Sequence, residues 1–167
     1  MLRRVKQLLL LLGFICIGWF GWQLRNIVLE ESNTFYPAQI VYVIDGDTVV
    51  VLYEDQEIKV RMIGIDTPES VSSNKMENTY EGRLASSFTK KELYEGRKVY
   101  LEFDEQREDK YGRTLAYIWL SMDANSNSFE DFKKNNFGAI LLQNTYCKPL
   151  SYAPNDKYKD WYNQLAK

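Results

Sequence analysis

Histidine is absent from the 167 residues, and that gap removes histidine–metal nucleases, Ser-His-Asp hydrolysis, histidine zinc centres and histidine general bases. Cysteine is nearly as scarce. Cys16 lies in an apolar N-terminal stretch and Cys147 stands alone in the rest of the chain, so a folded domain holds no disulfide and no thiolate cluster for zinc or copper. Cys147 reads as a small packed hydrophobe. A basic surplus is missing too. Four of the 21 Lys+Arg and two of the 23 Asp+Glu precede Ala38, leaving 17 against 21 and a net charge of −4 beyond that point. The chain is therefore no generically basic nucleic-acid binder, and any phosphate recognition must be local. Internal repeats and low-complexity segments are also lacking. Carboxylates, arginine, lysine and tyrosine remain to carry any catalysis.

The N-terminus reads as targeting. Arg3, Arg4 and Lys6 precede the fifteen uncharged residues Leu8 to Trp22, a positive region followed by an apolar one. As a signal peptide it lacks a small-x-small cleavage pattern, because Trp19 and Phe20 interrupt both placements around Gly18 and Gly21. As a helical anchor it spans ~25 Å, slightly under the ~30 Å hydrocarbon core. Trp19, Phe20 and Trp22 suit an interfacial belt, and the basic residues before the span with Glu30-Glu31 after it place the rest outside the cytoplasm. The expected plan is a signal-anchor or signal segment over 1–25, a tether over 26–37, and one folded domain over 38–167. The expected location is a single-pass membrane protein with its domain extracytoplasmic, or a secreted protein after cleavage. A monomer without a protein partner is the default.

Within the domain, Ile40 to Ile44, Val49 to Tyr53, Ile58 to Ile65, Val99 to Phe103 and Thr114 to Leu120 read as five strands. Val49–Tyr53 and Ile58–Ile65 flank Glu54-Asp55-Gln56 as an antiparallel hairpin. A turn centred on Asp55 sets Val49 opposite Arg61 and gives Asp47 and Arg61 one sheet face, a geometry that a one-residue slip would break. Tyr80 to Tyr94 has helical spacing, with Leu84 and Phe88 on its expected core-facing stripe and Gly96 as its stop. Ser121 to Asn136 reads as a polar surface loop with one helical turn near Phe129. Phe137 to Tyr146 and Asp156 to Ala166 read as two further helices, separated by Pro149 and Pro154. Five strands and three helices, after one N-terminal hydrophobic helix, make an α+β class.

Between Val43 and Ser70, the four acids Asp45, Asp47, Asp66 and Glu69 lie at the ends of the two strand runs, and Arg61 lies inside the second. Asp47, Asp66 and Glu69 are hard oxygen donors whose convergence calls for a cation, and calcium suits them. Each motif alone also reads as an ordinary turn or strand exit. An EF-hand reading of Asp45-x-Asp47 fails, because Val49 and Val50 fill the positions that need Asp/Asn and Gly. Arg61 inside a strand and Arg113 after a Tyr-Gly turn supply two guanidinium forks that match phosphate oxygens. A cation with two arginines is the set that binds a phosphodiester and stabilises its transition state.

The segments IDGDTV (44–49), R-x₄-DTPE (61–69) and DKYGRTLAYI (109–118), in that order and with ASSFTKKEL (85–93) between, resemble the staphylococcal nuclease family. The resemblance is strong from Ile40 to about Leu120 and weaker beyond. It implies a five-stranded OB-fold β-barrel with three helices, and a calcium-dependent phosphodiesterase that hydrolyses DNA and RNA by metal-assisted water attack, leaving 3′-phosphate ends. Position by position, it implies Asp47 and Asp66 as calcium ligands, with Thr67 adding its backbone carbonyl. Glu69 becomes the acid that orients or deprotonates water, Arg61 and Arg113 the arginines on the scissile phosphate, and Asp45 a second acid beside the metal. Lys110 and Tyr111 become contacts to a terminal phosphate, and Tyr152 one of a nucleotide-binding tyrosine pair whose other member is Leu150 here. The loop after Leu120 is longer than the family's usual one. The alternative is a non-catalytic OB-fold nucleic-acid-binding module tethered to the membrane; retention of Asp47, Arg61, Asp66, Glu69 and Arg113 favours the enzyme.

Overall fold

The computed structural model describes residues 34–71 and 78–167. The hydrophobic segment 1–25 and most of the expected tether lie outside them; among the described residues no helix is long and apolar enough to cross a membrane.

Five strands close a barrel. β1 (Tyr36–Asp45), β2 (Thr48–Tyr53) and β3 (Gln56–Met62) form a meander, and β5 (Lys98–Glu102) and β6 (Thr114–Trp119) complete the ring in the order β1-β2-β3-β6-β5. All neighbours are antiparallel except β3 and β6, which run parallel from Val60↔Thr114 to Met62↔Ala116. Closure removes the open edges that an isolated meander would expose. β-Branched and aliphatic residues fill the interior: Ile40, Val49, Val51, Val60, Val99, Leu101 and Leu115 are all buried.

β1 starts at Tyr36, inside the stretch read as tether. Tyr36 and Pro37 pair with Leu101 and Tyr100 of β5, and the Tyr36 ring packs 5.1 Å from Phe103. Aromatic burial recruits these residues to the barrel.

The hairpin register differs from the sequence expectation by one. Thr48, not Val49, faces Arg61, and Tyr53 faces Gln56. The connection is two residues long, with Glu54 at φ 48° and Asp55 at φ 61°. Positive φ at both central positions gives a turn whose twist matches the strands.

Four helices appear among the described residues instead of three. α1 (Tyr80–Glu92), α2 (Phe129–Asn135), α3 (Phe137–Gln143) and α4 (Lys159–Leu165) are joined by a two-stranded ladder of β4 (Ile65–Asp66) and β7 (Lys148–Pro149). Side-chain caps start three of the helices: Thr79 accepts from Gly82 N at 2.9 Å, Ser128 from Asp131 N at 3.3 Å, and Asn136 from Ala139 N at 3.1 Å. The helical turn expected near Phe129 within the loop 121–136 is a seven-residue helix whose Phe132 is fully buried. Its polar composition concealed one anchoring aromatic.

The buried face of α1 is Gly82, Ala85, Ser86 and Thr89, while Leu84 is 41% exposed. The expected apolar stripe is therefore only half correct. Small residues face inward because the helix lies against backbone: a Cβ on Gly82 would stand 2.2 Å from the Glu69 carbonyl oxygen.

Candidate active site

Two turns and one strand build the site. The β1–β2 turn carries Asp45-Gly46-Asp47, β3 carries Arg61, and the exit of β4 carries Asp66 to Glu69. Gly46 lets the turn and the exit meet, since a Cβ there would stand 2.8 Å from the Thr67 side chain. Thr89 of α1 fastens the turn from behind, its hydroxyl donating to the Gly46 carbonyl at 2.8 Å.

Asp47 is the hub. One oxygen accepts from the Thr48 hydroxyl at 2.9 Å; the other accepts from the Thr67 backbone N–H at 2.9 Å and its hydroxyl at 3.0 Å. Arg61 Nη2 lies 3.1 Å from Asp47 and 2.8 Å from Asp66. Its Nη1 donates to the carbonyls of Met62 at 2.9 Å and Ile65 at 3.0 Å. The guanidinium is thereby fixed on both nitrogens before any substrate arrives. Removing one partner of such a pair leaves the other charge uncompensated, at a cost of about 3–5 kcal/mol when burial is deep. The Asp47 side chain is 9% exposed and that of Asp66 60%, so Asp66 is the one open to solvent.

Arg113 arrives from the β5–β6 connection. Its Nε donates to Asp109 Oδ2 at 2.7 Å, while Asp109 Oδ1 accepts the backbone N–H groups of Tyr111 at 2.8 Å and Arg113 at 3.0 Å. Burial pushes the Asp109 carboxyl up, but the hydrogen bonds from Arg113 and Tyr111 outweigh it, and the net result lies below the usual aspartate range. The sequence reading gave Asp109 no role; an acid four residues before an arginine across a glycine turn was the available signal.

Asp45, Asp47, Arg61, Glu69 and Arg113 line one recess of about 160 Å³. Asp45 accepts from the Ser70 hydroxyl at 2.6 Å and its N–H at 3.1 Å, holding the residue after Glu69. The Glu69 carboxyl is raised above its ordinary range. Partial withdrawal from water is the largest cause, then the charges of Asp45 and Asp47, a hydrogen bond with Asp45 and the charge of Asp66.

The other expected residues fall into two groups. Tyr152 and Leu150 line a neighbouring pocket of about 90 Å³ that shares Arg61 and Arg113 with the recess. Lys110 and Tyr111 are exposed and line neither cavity; the Tyr111 ring lies 5.5 Å from the Arg113 guanidinium.

The donors for a cation are Asp47, Asp66 and the Thr67 carbonyl. All are hard oxygens, which fits calcium in kind, and the charges of Asp45, Asp47 and Asp66, which add to partial burial in raising Glu69, mark an electronegative spot that a cation would relieve. Among the described residues, no three acidic or cysteine side chains gather as a metal cage. Water and substrate oxygens would have to complete the coordination.

A family description, "Staphylococcal nuclease homologue", matches residues 59–167. The chain is 42% identical over 125 residues to a thermonuclease of Staphylococcus intermedius, covering 75% of this chain and 66% of the relative. It is 40% identical over 129 residues to a thermonuclease of Staphylococcus hyicus, covering 77% and 68%. To the endonuclease YncB of Bacillus subtilis it is 36% identical over 120 residues, covering 71% of this chain and 51% of that one. The matches thus span about two thirds of each thermonuclease.

Proposed function

The chain belongs to the staphylococcal nuclease family of hydrolases, and we propose that it is a calcium-dependent phosphodiesterase that cleaves DNA and RNA to 3′-phosphate ends. The observation that carries this reading is the single recess in which Arg61, Arg113 and the raised carboxyl of Glu69 converge.

Arg61 and Arg113 bind the non-bridging oxygens of the phosphodiester and stabilise the charge that accumulates in the transition state. Both are held by carboxylates on their inner sides, so little reorganisation is needed when substrate enters. Glu69, the carboxylate that lines the recess beside Arg61 and Arg113, accepts a proton from the attacking water. The water oxygen bonds to phosphorus, the bond to the 5′ oxygen breaks, and the departing oxygen takes a proton from solvent. Asp47, Asp66 and the Thr67 carbonyl would hold calcium, which supplies Lewis-acid stabilisation of the phosphoryl oxygens. Asp45 holds the Glu69 loop through Ser70. Tyr152 offers a stacking surface, and Lys110 and Tyr111 would meet the next phosphate along the strand. Single strands are preferred, because the groove reads backbone charge and base faces.

The membrane anchor formed by residues 1–25, with the domain outside the cytoplasm and monomeric, belongs to the same proposal; cell fractionation followed by N-terminal sequencing checks it, and a trimmed N-terminus in the medium would replace the anchor with secretion. For the activity, the purified full chain is incubated with single-stranded DNA, duplex DNA and RNA, first with calcium and then with chelator, and the product ends are mapped. Calcium-dependent cleavage leaving 3′-phosphates is expected. Binding without cleavage would promote the non-catalytic alternative.

A further inference from the structure

The largest cavity described, about 600 Å³, opens beside Asp66 and Pro68 and is walled by Leu84 of α1 and by Tyr146, Cys147 and Lys148. Its position relative to the catalytic recess follows from the β4–β7 ladder. Asp66 pairs with Lys148 at one end, and Leu150 N donates to the Gly64 carbonyl at 2.9 Å at the other. Lys148 fronts the large cavity, while Leu150 fronts the small pocket with Tyr152. The two cavities therefore flank the ladder at points roughly 7 Å apart along one strand. Arg61, bound to Asp66 at 2.8 Å, lies between them.

A phosphodiester has a nucleoside on each side, and a single-strand nuclease must seat both. We propose that the Leu84–Tyr146 groove is the subsite for the nucleoside across the scissile phosphate from the one on Tyr152. This rests on the nuclease reading above. The wall is apolar enough for a base face, with Tyr146 held by Phe88 at a centroid distance of 4.7 Å, and Lys148 supplies a cation at the rim for the flanking phosphate. Cys147 acts as wall and not as nucleophile, since burial pushes its thiol up to about 12.

The test uses short single-stranded oligodeoxynucleotides with one cleavable phosphodiester, the rest methylphosphonates, and an abasic tetrahydrofuran unit on either side of it. For the unaltered protein, removing the groove-side base raises KM about tenfold. Leu84→Trp fills the groove from an exposed position and Leu84→Ala strips its wall; both collapse the KM difference between base-bearing and abasic substrates on that side only. Unchanged discrimination in both variants, with the unaltered protein active, overturns the groove. An unaltered protein that cleaves none of these substrates overturns the nuclease reading and the groove with it.

A separate observation concerns Lys59. It stands two residues before Arg61 on β3, hence on the same face, and it lines the catalytic recess. Arg61 and Arg113 are both paired with carboxylates, whereas Lys59 has no ion pair among the described residues. The geometry points to Lys59 as a positioning cation for the substrate's phosphate backbone. Binding of a fluorescent oligodeoxythymidylate across a salt series tests it independently of cleavage. Lys59→Ala should weaken binding about tenfold and lower the salt slope by about 0.7, with Lys59→Arg restoring both. An unchanged slope in Lys59→Ala overturns the assignment.

Discussion

Two parts of this molecule withdraw carboxylates from water and treat them in opposite ways. In the seam between the barrel and the C-terminal helices, Glu102 is surrounded by donors: Trp119 Nε1 at 2.7 Å, Lys157 Nζ at 2.6 Å and the Tyr158 hydroxyl at 2.9 Å. Tyr158 in turn packs 4.8 Å from Tyr117 and 5.0 Å from Phe132. That carboxylate is fully partnered and serves as a strut. In the recess, the exposed Glu69 carboxyl stands beside the buried Asp45 and Asp47, and its proton affinity rises, first through partial withdrawal from water and then through their charges. A buried acid that meets only donors has finished its chemistry; acids that meet each other are poised for a cation or a proton.

Mutation should separate the two regions. The largest effect falls in the recess: Glu69→Gln and Arg113→Ala each lower kcat by on the order of 10²-fold or more, with thermal unfolding little changed. A variant with unchanged turnover would remove that residue from the mechanism. In the seam the pattern inverts. Glu102→Gln should cost about 2 kcal/mol of stability by weakening three hydrogen bonds at once, while kcat per folded molecule stays within twofold; denaturant melts alongside kinetics read both quantities, and a large kcat loss would break the contrast.

Asp109 lies between the two cases, being a strut that aims a site residue. Its folded carboxyl lies below the usual aspartate range, so it contributes stability above that range that is lost as the pH falls through the lowered value. The unfolding midpoint should therefore decline on acidification below about pH 4, and decline less in Asp109→Asn. That variant should also lose activity about tenfold as Arg113 loosens. Identical acid melts for both proteins would deny Asp109 the role.

The acids and arginines of the recess were legible in the sequence because each combines a chemical type with a place in the local pattern: acids at turns, and arginine inside a strand or just after a glycine turn. The reason Arg61 meets Asp47 was not. The expected register put them on one sheet face, yet Thr48 is the residue opposite Arg61, and Asp47 reaches the guanidinium from the turn before β2. The Met62 N–H donates to the Asp47 carbonyl at 3.0 Å, tying that turn to β3. The expected register was off by one, yet Asp47 and Arg61 still meet, because a turn residue is not bound by strand alternation.

The helical portion was read less well for a different reason. Periodicity located α1, but which face it buries depends on what lies against it, and backbone at Glu69 demands Gly82 where an apolar stripe suggested Leu84. The segment 121–136 read as a polar loop with one helical turn near Phe129, and only contact with Trp119, Tyr158 and Trp161 turns Phe132 into a core residue.

By itself, the sequence determined the chemistry available and the strands that carry it, since residue type and β-branching act locally. The tertiary structure alone decided the joining of β3 to β6 and the seam around Glu102. Each of those depends on a partner distant in the chain, whose approach is set by barrel closure and packing and not by any local preference.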